Sequence, residues 1–188
     1  MTSHINETYK SNDFSKQIMS EQSFMACEFH NCNFTESTLW NAKFVNCVFK
    51  GCNISLVKMD GCRFQDVRFI DCKLVGADFF KCDKPFFSVQ FTHSILHYCN
   101  FSDLNLKGIS FAECKLKECH FTNSGLVGAS FKDSDLLGTI FHNSDLSKAD
   151  FSSAINYDID PQTNKIKKAK FSLPEAAALL RGFDIHLV

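Results

Sequence analysis

Two things are scarce in this sequence: net charge, and any aromatic residue other than phenylalanine. Twenty Lys and Arg stand against twenty-one Asp and Glu. The resulting net charge of −1 leaves no global positive field to hold nucleic-acid phosphates, so direct nucleic-acid binding is not expected. No run of about eighteen apolar residues is present, which argues against a membrane-spanning helix. Residues 1–20 are polar and lack the apolar centre of a signal peptide, so a soluble, cytoplasmic protein is expected. There is no catalytic nucleophile motif, phosphate loop or dinucleotide fingerprint, and no enzyme activity or cofactor is expected. What the chain does have is 45% apolar residues in 188, enough for one ordinary domain or two small ones, and disorder is disfavoured. It also has twenty-one Phe against one Trp and three Tyr, and ten Cys. That imbalance points to one structural position used again and again.

The position recurs every five residues. From Phe14 the centres are Met19, Phe24, Phe29, Phe34, Leu39, Phe44, Phe49, Ile54, Met59, Phe64, Phe69, Leu74 and Phe79, with no failure. The phase then jumps by two residues and resumes at Phe86, Phe91, Leu96, Phe101 and onward to Phe151, alternating Phe and Leu from Phe91. Two residues before a centre the side chain is mostly small, and nine of the ten Cys occupy that slot. A period of five matches neither a helix nor a flat strand, so the chain must turn at every repeat. A coil with four sides of five residues points each centre and each small residue inward. Residues twenty apart then stack at about 4.8 Å, and the Phe and Leu stacks of the second half fall on opposite pairs of sides.

This pattern resembles the pentapeptide-repeat family, whose motif is a small residue, a polar residue, Leu or Phe, and two variable positions. Ala149-Asp150-Phe151-Ser152-Ser153 and Ser144-Asp145-Leu146-Ser147-Lys148 fit it directly. The resemblance covers residues 12–153 and implies an all-β fold, a right-handed four-sided parallel β-helix. About seven coils at about 4.8 Å make a rod roughly 34 Å long. Residues 1–11 are expected to form an N-terminal cap segment, with Tyr9 in phase as an extra centre. Residues 154–188 are expected to form a C-terminal cap and dimerisation segment.

In that last segment, Ser172-Leu173-Pro174-Glu175 reads as a capping box. Leu173, Ala176, Ala177 and Leu180 form one apolar helical stripe, and Gly182 is placed to end the helix. Phe183, Ile185 and Leu187 alternate with Asp184 and His186 as a half-buried strand would. The tail from Leu173 to Val188 resembles the quinolone-resistance and microcin-immunity branch of the family. That resemblance implies a homodimer joined through the C-terminus and a rod that binds DNA gyrase, or its relative topoisomerase IV, by imitating a DNA duplex. A general interaction scaffold with an unrelated partner is the alternative.

Acidic residues are the candidate partner-binding surface. Between Phe121 and Asp160 six Asp face Lys132 and Lys148, a local balance of −4. Glu113 and Asp133 lie twenty apart at an outward position and are expected to stack in one column beside Asp135. Asp145 and Asp150 precede centres, where a solvated structural role competes with recognition. The thiols read as reduced, buried filler and not as a metal site, because ladders do not converge on one point. Trp40 follows a centre and should face outward. The break at residues 80–85 reads either as a harmless offset or as a small protrusion.

Overall fold

A computed structural model describes residues 2–183 and Ile185. It is a right-handed four-sided parallel β-solenoid of about eight turns with one short C-terminal helical segment. The pairings are parallel and join residues twenty apart, or twenty-two across the break, as in Phe29 with Phe49 and Phe69 with Phe91; near the C-terminal end Ile140 pairs with Asp158, eighteen on. Side A carries the column Phe29, Phe49, Phe69, Phe91, Phe111, Phe131, Phe151 and Phe171. Side B carries Phe34, Ile54, Leu74, Leu96, Leu116 and Leu136; side C carries Leu39, Met59, Phe79, Phe101, Phe121 and Phe141. Side D carries Phe24, Phe44 and Phe64 and, beyond the break, Leu106, Leu126 and Leu146. All of these centres are buried except Phe171, which is partly buried at the end of the rod.

Two residues after nearly every centre the backbone takes a positive φ, from Asn6 at 55° to Lys168 at 61°. This left-handed residue is the corner of the coil. The cost for a non-glycine residue is about 1–2 kcal/mol, and it recurs because the corner N–H still bonds to the coil above, as Asn31 does to the Lys50 carbonyl at 2.8 Å. Six of the eight glycines occupy this position, where the absent Cβ removes the penalty. The sides are either turns or short strands. Where the residue before the centre is Asn or Asp, its side-chain oxygen accepts the N–H two residues on, as Asn33 does from Thr35 at 3.1 Å and Asn100 from Ser102 at 2.9 Å. The side then becomes a turn. On other sides three residues run extended, as in Val48–Lys50.

The solenoid extends beyond the repeat read from the sequence. Ser3–Ile5 pairs with Ser23–Met25, and Thr8–Lys10 pairs with Glu28–His30, so residues expected to cap the rod form its first coil. His4 stands where a centre would be and stacks on Phe24 at 4.7 Å, while Tyr9 stacks on Phe29 at 4.9 Å. The Tyr9 hydroxyl bonds to His4 and Glu7, giving this end of the aromatic stack a polar finish. At the other end, Lys170–Phe171 pairs with Asp150–Phe151.

Three expectations need correction. Phe86 is not an inward centre: it is 45% exposed, and Phe87 packs on Phe79 at 5.7 Å in its stead. The two extra residues turn the ring outward, where the Arg63 guanidinium covers it at 3.9 Å and also donates to Asp83 at 2.8 Å. The capping box does not form, because the Ser172 hydroxyl accepts the Ser153 N–H at 3.1 Å. The tail helix Glu175–Phe183 is a 3-10 helix that runs through Gly182, and it rests on the core through Ala178 and Leu179. A three-residue period does not keep the expected stripe on one face, and Leu173 is 85% exposed. Phe183 lies in that helix and not in a strand; Asp184, His186 and Leu187 lie outside the described residues.

Candidate functional site

The coil geometry sorts the five candidate acids into two kinds. Glu113 and Asp133 are corner residues at φ 57°, one coil apart on the edge between sides A and B. Both side chains are about half exposed. Asp135, Asp145 and Asp150 precede centres and lock turns. Asp135 accepts the Leu137 N–H at 3.2 Å and the Asn156 amide at 2.7 Å. Asp145 accepts the Ser147 N–H at 3.0 Å, and Asp150 the Ser152 N–H at 2.9 Å. Hydrogen bonds from Ser147, with Lys165 nearby, hold the Asp145 carboxyl below its usual range. Hydrogen bonds from Ser152, and then from Lys170, do the same for Asp150.

Glu113, Asp133 and Asp135 therefore share one edge. Asp150 lies on side A next to it, and Asp145 lies one side further round. The basic run that follows in sequence stacks onto the last two: Lys165 sits over Asp145, and the Lys170 ammonium reaches Asp150 at 3.1 Å. The negative balance of the isolated segment is thus offset by the next coil.

The corner column is longer than Glu113 and Asp133. Asp71 and His93 continue it below, with His93 Nε2 at 2.8 Å from Glu113 and Nδ1 at 3.9 Å from Asp71. Counting in twenties hides Asp71; applying the two-residue jump places it twenty-two before His93. The column presents three carboxylates, spaced by whole coils of about 4.8 Å. Duplex DNA carries one charge per about 1.7 Å of axis.

The inner slot is chemically quiet. Thiols donate to the carbonyl twenty-three residues earlier, Cys47 to Phe24 at 3.4 Å and Cys119 to Leu96 at 3.2 Å. Burial pushes the Cys47 thiol up to about 11 and the Cys114 thiol up to about 12, and raises Cys62, Cys82 and Cys119 as well. Thiolates are the reactive and metal-binding form. Among the described residues no group of three or more His, Cys, Asp or Glu converges to hold a metal, and no helix is long and apolar enough to cross a membrane. Trp40 is 48% exposed, on side C of the second coil.

A search of curated proteins finds no match. Among solved structures, the chain is similar to QnrB1, a plasmid-mediated fluoroquinolone resistance protein, at 20% identity over 100% of this chain and 98% of that one, with a TM-score of 0.47. It is also similar to HetL, a pentapeptide repeat protein involved in heterocyst differentiation regulation in Nostoc sp. strain PCC 7120, at 16% identity over 89% and 81%, with a TM-score of 0.38. The profile of the pentapeptide repeat region matches residues 22–84 and 85–151. With the repeat, the coil and the profile in agreement, the chain belongs to the pentapeptide-repeat family.

Proposed function

We propose that this chain is a non-catalytic binding rod that engages a bacterial type II topoisomerase, DNA gyrase or topoisomerase IV, at its DNA-binding surface and protects it from a drug or toxin. The observation that carries the reading is the exposed column Asp71, Glu113 and Asp133, with Asp135 beside it, on one straight edge of a rigid rod. The resemblance of the tail to the gyrase-protecting branch supports the choice of partner. Because the column is much sparser in charge than a duplex, the shape of the rod has to supply part of the recognition. Two copies join through the C-terminal end, where Leu173, Leu180, Phe183 and Ile185 are exposed beside Ala176 and Ala177. Leu187 belongs to the same proposed surface.

A second reading, a general protein-interaction scaffold, is favoured by Lys165 and Lys170 stacked over Asp145 and Asp150. A supercoiling assay with added purified protein separates the two. The topoisomerase reading expects a dose-dependent change in gyrase activity that weakens with salt, since exposed charges are screened over about 8 Å at physiological ionic strength. No effect and no association at low salt would leave the scaffold. Light scattering that finds a monomer would remove the dimer.

A further inference from the structure

Side B is flat and continuous across three coils in the middle of the rod. Lys73–Val75, Ile95–His97 and Lys115–Lys117 form one parallel sheet, in register Lys73 to Ile95 to Lys115 and Val75 to His97 to Lys117. Leu74, Leu96 and Leu116 point inward and are fully buried, so the residues on either side of them point out. Three lysines thus share one small face with His97. Among the described residues none of the three has a carboxylate within 4.0 Å, whereas Lys81, Lys132, Lys170, Arg63 and Arg181 each do. Lys115 and Lys117 are about 6.6 Å apart along their strand, and Lys73 and Lys115 about 9.6 Å apart across two strand spacings. Ile95 and Tyr98 expose apolar surface in the same patch, at 36% and 52%.

We propose that this face binds a short acidic peptide segment of a protein partner, with carboxylates seated on Lys73, Lys115 and Lys117. Alternate side chains of an extended peptide repeat at about 6.6 Å, the spacing of Lys115 and Lys117. Asp71 and Glu113 border the face at the corner and Asp135 stacks beside Lys115, so the face takes a short segment whose charges stop at the three lysines and not a continuous phosphate chain that crosses the edge. His97 reports on occupancy. Burial, and then the charges of Lys117, Lys73 and Lys115, lower its pKa, with Glu118 opposing and the Tyr98 ring 6.5 Å away. A bound carboxylate offsets those cations and raises it.

The test titrates the full chain with an acetylated Glu-Leu-Glu-Leu-Glu peptide at low salt and follows the His97 ring by NMR. The expected result is saturable shifts confined to side B, an upward move of the His97 titration, and about tenfold weaker binding after Lys115→Glu with Lys117→Glu. A parallel reversal, Lys81→Glu with Lys84→Glu, should leave binding unchanged, and thermal unfolding checks that both variants fold. Equal affinity for the Lys115/Lys117 variant, shifts away from side B, no saturable binding, or capture of an oligothymidylate in place of the peptide would each overturn the proposal. The inference is independent of the topoisomerase reading: the Lys115/Lys117 variant should still act in the supercoiling assay, so either can fail alone.

Discussion

Below the break and above it, the rod fills the same cross-section in different ways. In the lower half the Phe columns stand on adjacent sides D and A, and their rings meet edge to face across one corner, at 5.5 Å for Phe24 with Phe29 and 5.4 Å for Phe44 with Phe49. In the upper half they stand on opposite sides A and C, and meet across the core at 5.8 Å for Phe91 with Phe101 and 5.5 Å for Phe111 with Phe121. The exchange takes place at the break. Phe79 begins the side C column by stacking on Phe101 at 4.7 Å, while Phe86 turns outward and leaves side D to Leu106. The inner slot changes as well, with thiols commonest below the break and hydroxyls commonest above it. Ser134 donates to the Phe111 carbonyl at 2.6 Å and accepts the Cys114 N–H at 3.2 Å, whereas Cys47 makes only long bonds at 3.4 Å. The solenoid thus fixes volume and edge contacts per coil, and leaves open which sides carry the large rings.

If the two tilings are equivalent, removing one ring from either should cost the same. Phe49→Ala and Phe121→Ala each delete a ring stacked on two others, so urea unfolding should show a loss of about 3–5 kcal/mol for both, and under about 0.5 kcal/mol for the outward Phe86→Ala. A large cost at Phe86 would mean that the break is part of the core. The slots should differ more than the rings. Ser134→Ala removes two buried hydrogen bonds and should cost about 1–3 kcal/mol, against about 1 kcal/mol for Cys47→Ala, which mainly loses apolar contact. Equal losses would erase the distinction between thiol and hydroxyl ladders.

The smallest effect concerns pH. Thiols such as Cys47 and Cys114 are raised in the folded state, so the unfolded chain gives up those protons first. Stability is then fully present below about pH 9, the ordinary thiol value, and falls as pH rises through the folded values. Replacing Cys47 with Ala should flatten the alkaline limb of a stability–pH curve; an unchanged limb would assign the loss to other groups.

The period of five, the four sides and the twenty-residue stacks were legible because one large residue per repeat has only one place to go. Phe91 to Phe151 also showed opposite-sided stacking in advance. Phe86 misled because it kept perfect phase while two extra residues had already moved the chain, and only contact with Phe79 distinguishes it from Phe87. His4 was missed as a first centre because stacking on Phe24, and not hydrophobicity, qualifies it. The left-handed corners left a trace in Gly51, Gly61, Gly76, Gly108, Gly128 and Gly138, all two past a centre, but a trace shared with Asn, Asp, Glu and Lys does not announce itself. At the candidate site, Glu113 and Asp133 stacked as expected. The opposition of Lys165 and Lys170 to Asp145 and Asp150 depends on the coil count after Tyr157, where Ile140 pairs with Asp158 and Asp145 with Lys165, a change of phase with no local signature.

The division of the acids into corner residues and turn locks is the most direct point of attack. Gyrase binding by immobilised protein should be measured for Glu113→Lys with Asp133→Lys, and for Asp145→Asn with Asp150→Asn. The amides can still accept the turn N–H groups, so both variants should fold with unchanged melting temperature. The account predicts at least about tenfold weaker binding for the first pair and no change for the second. Binding that survives the corner reversal, or that falls equally for both pairs, would contradict it.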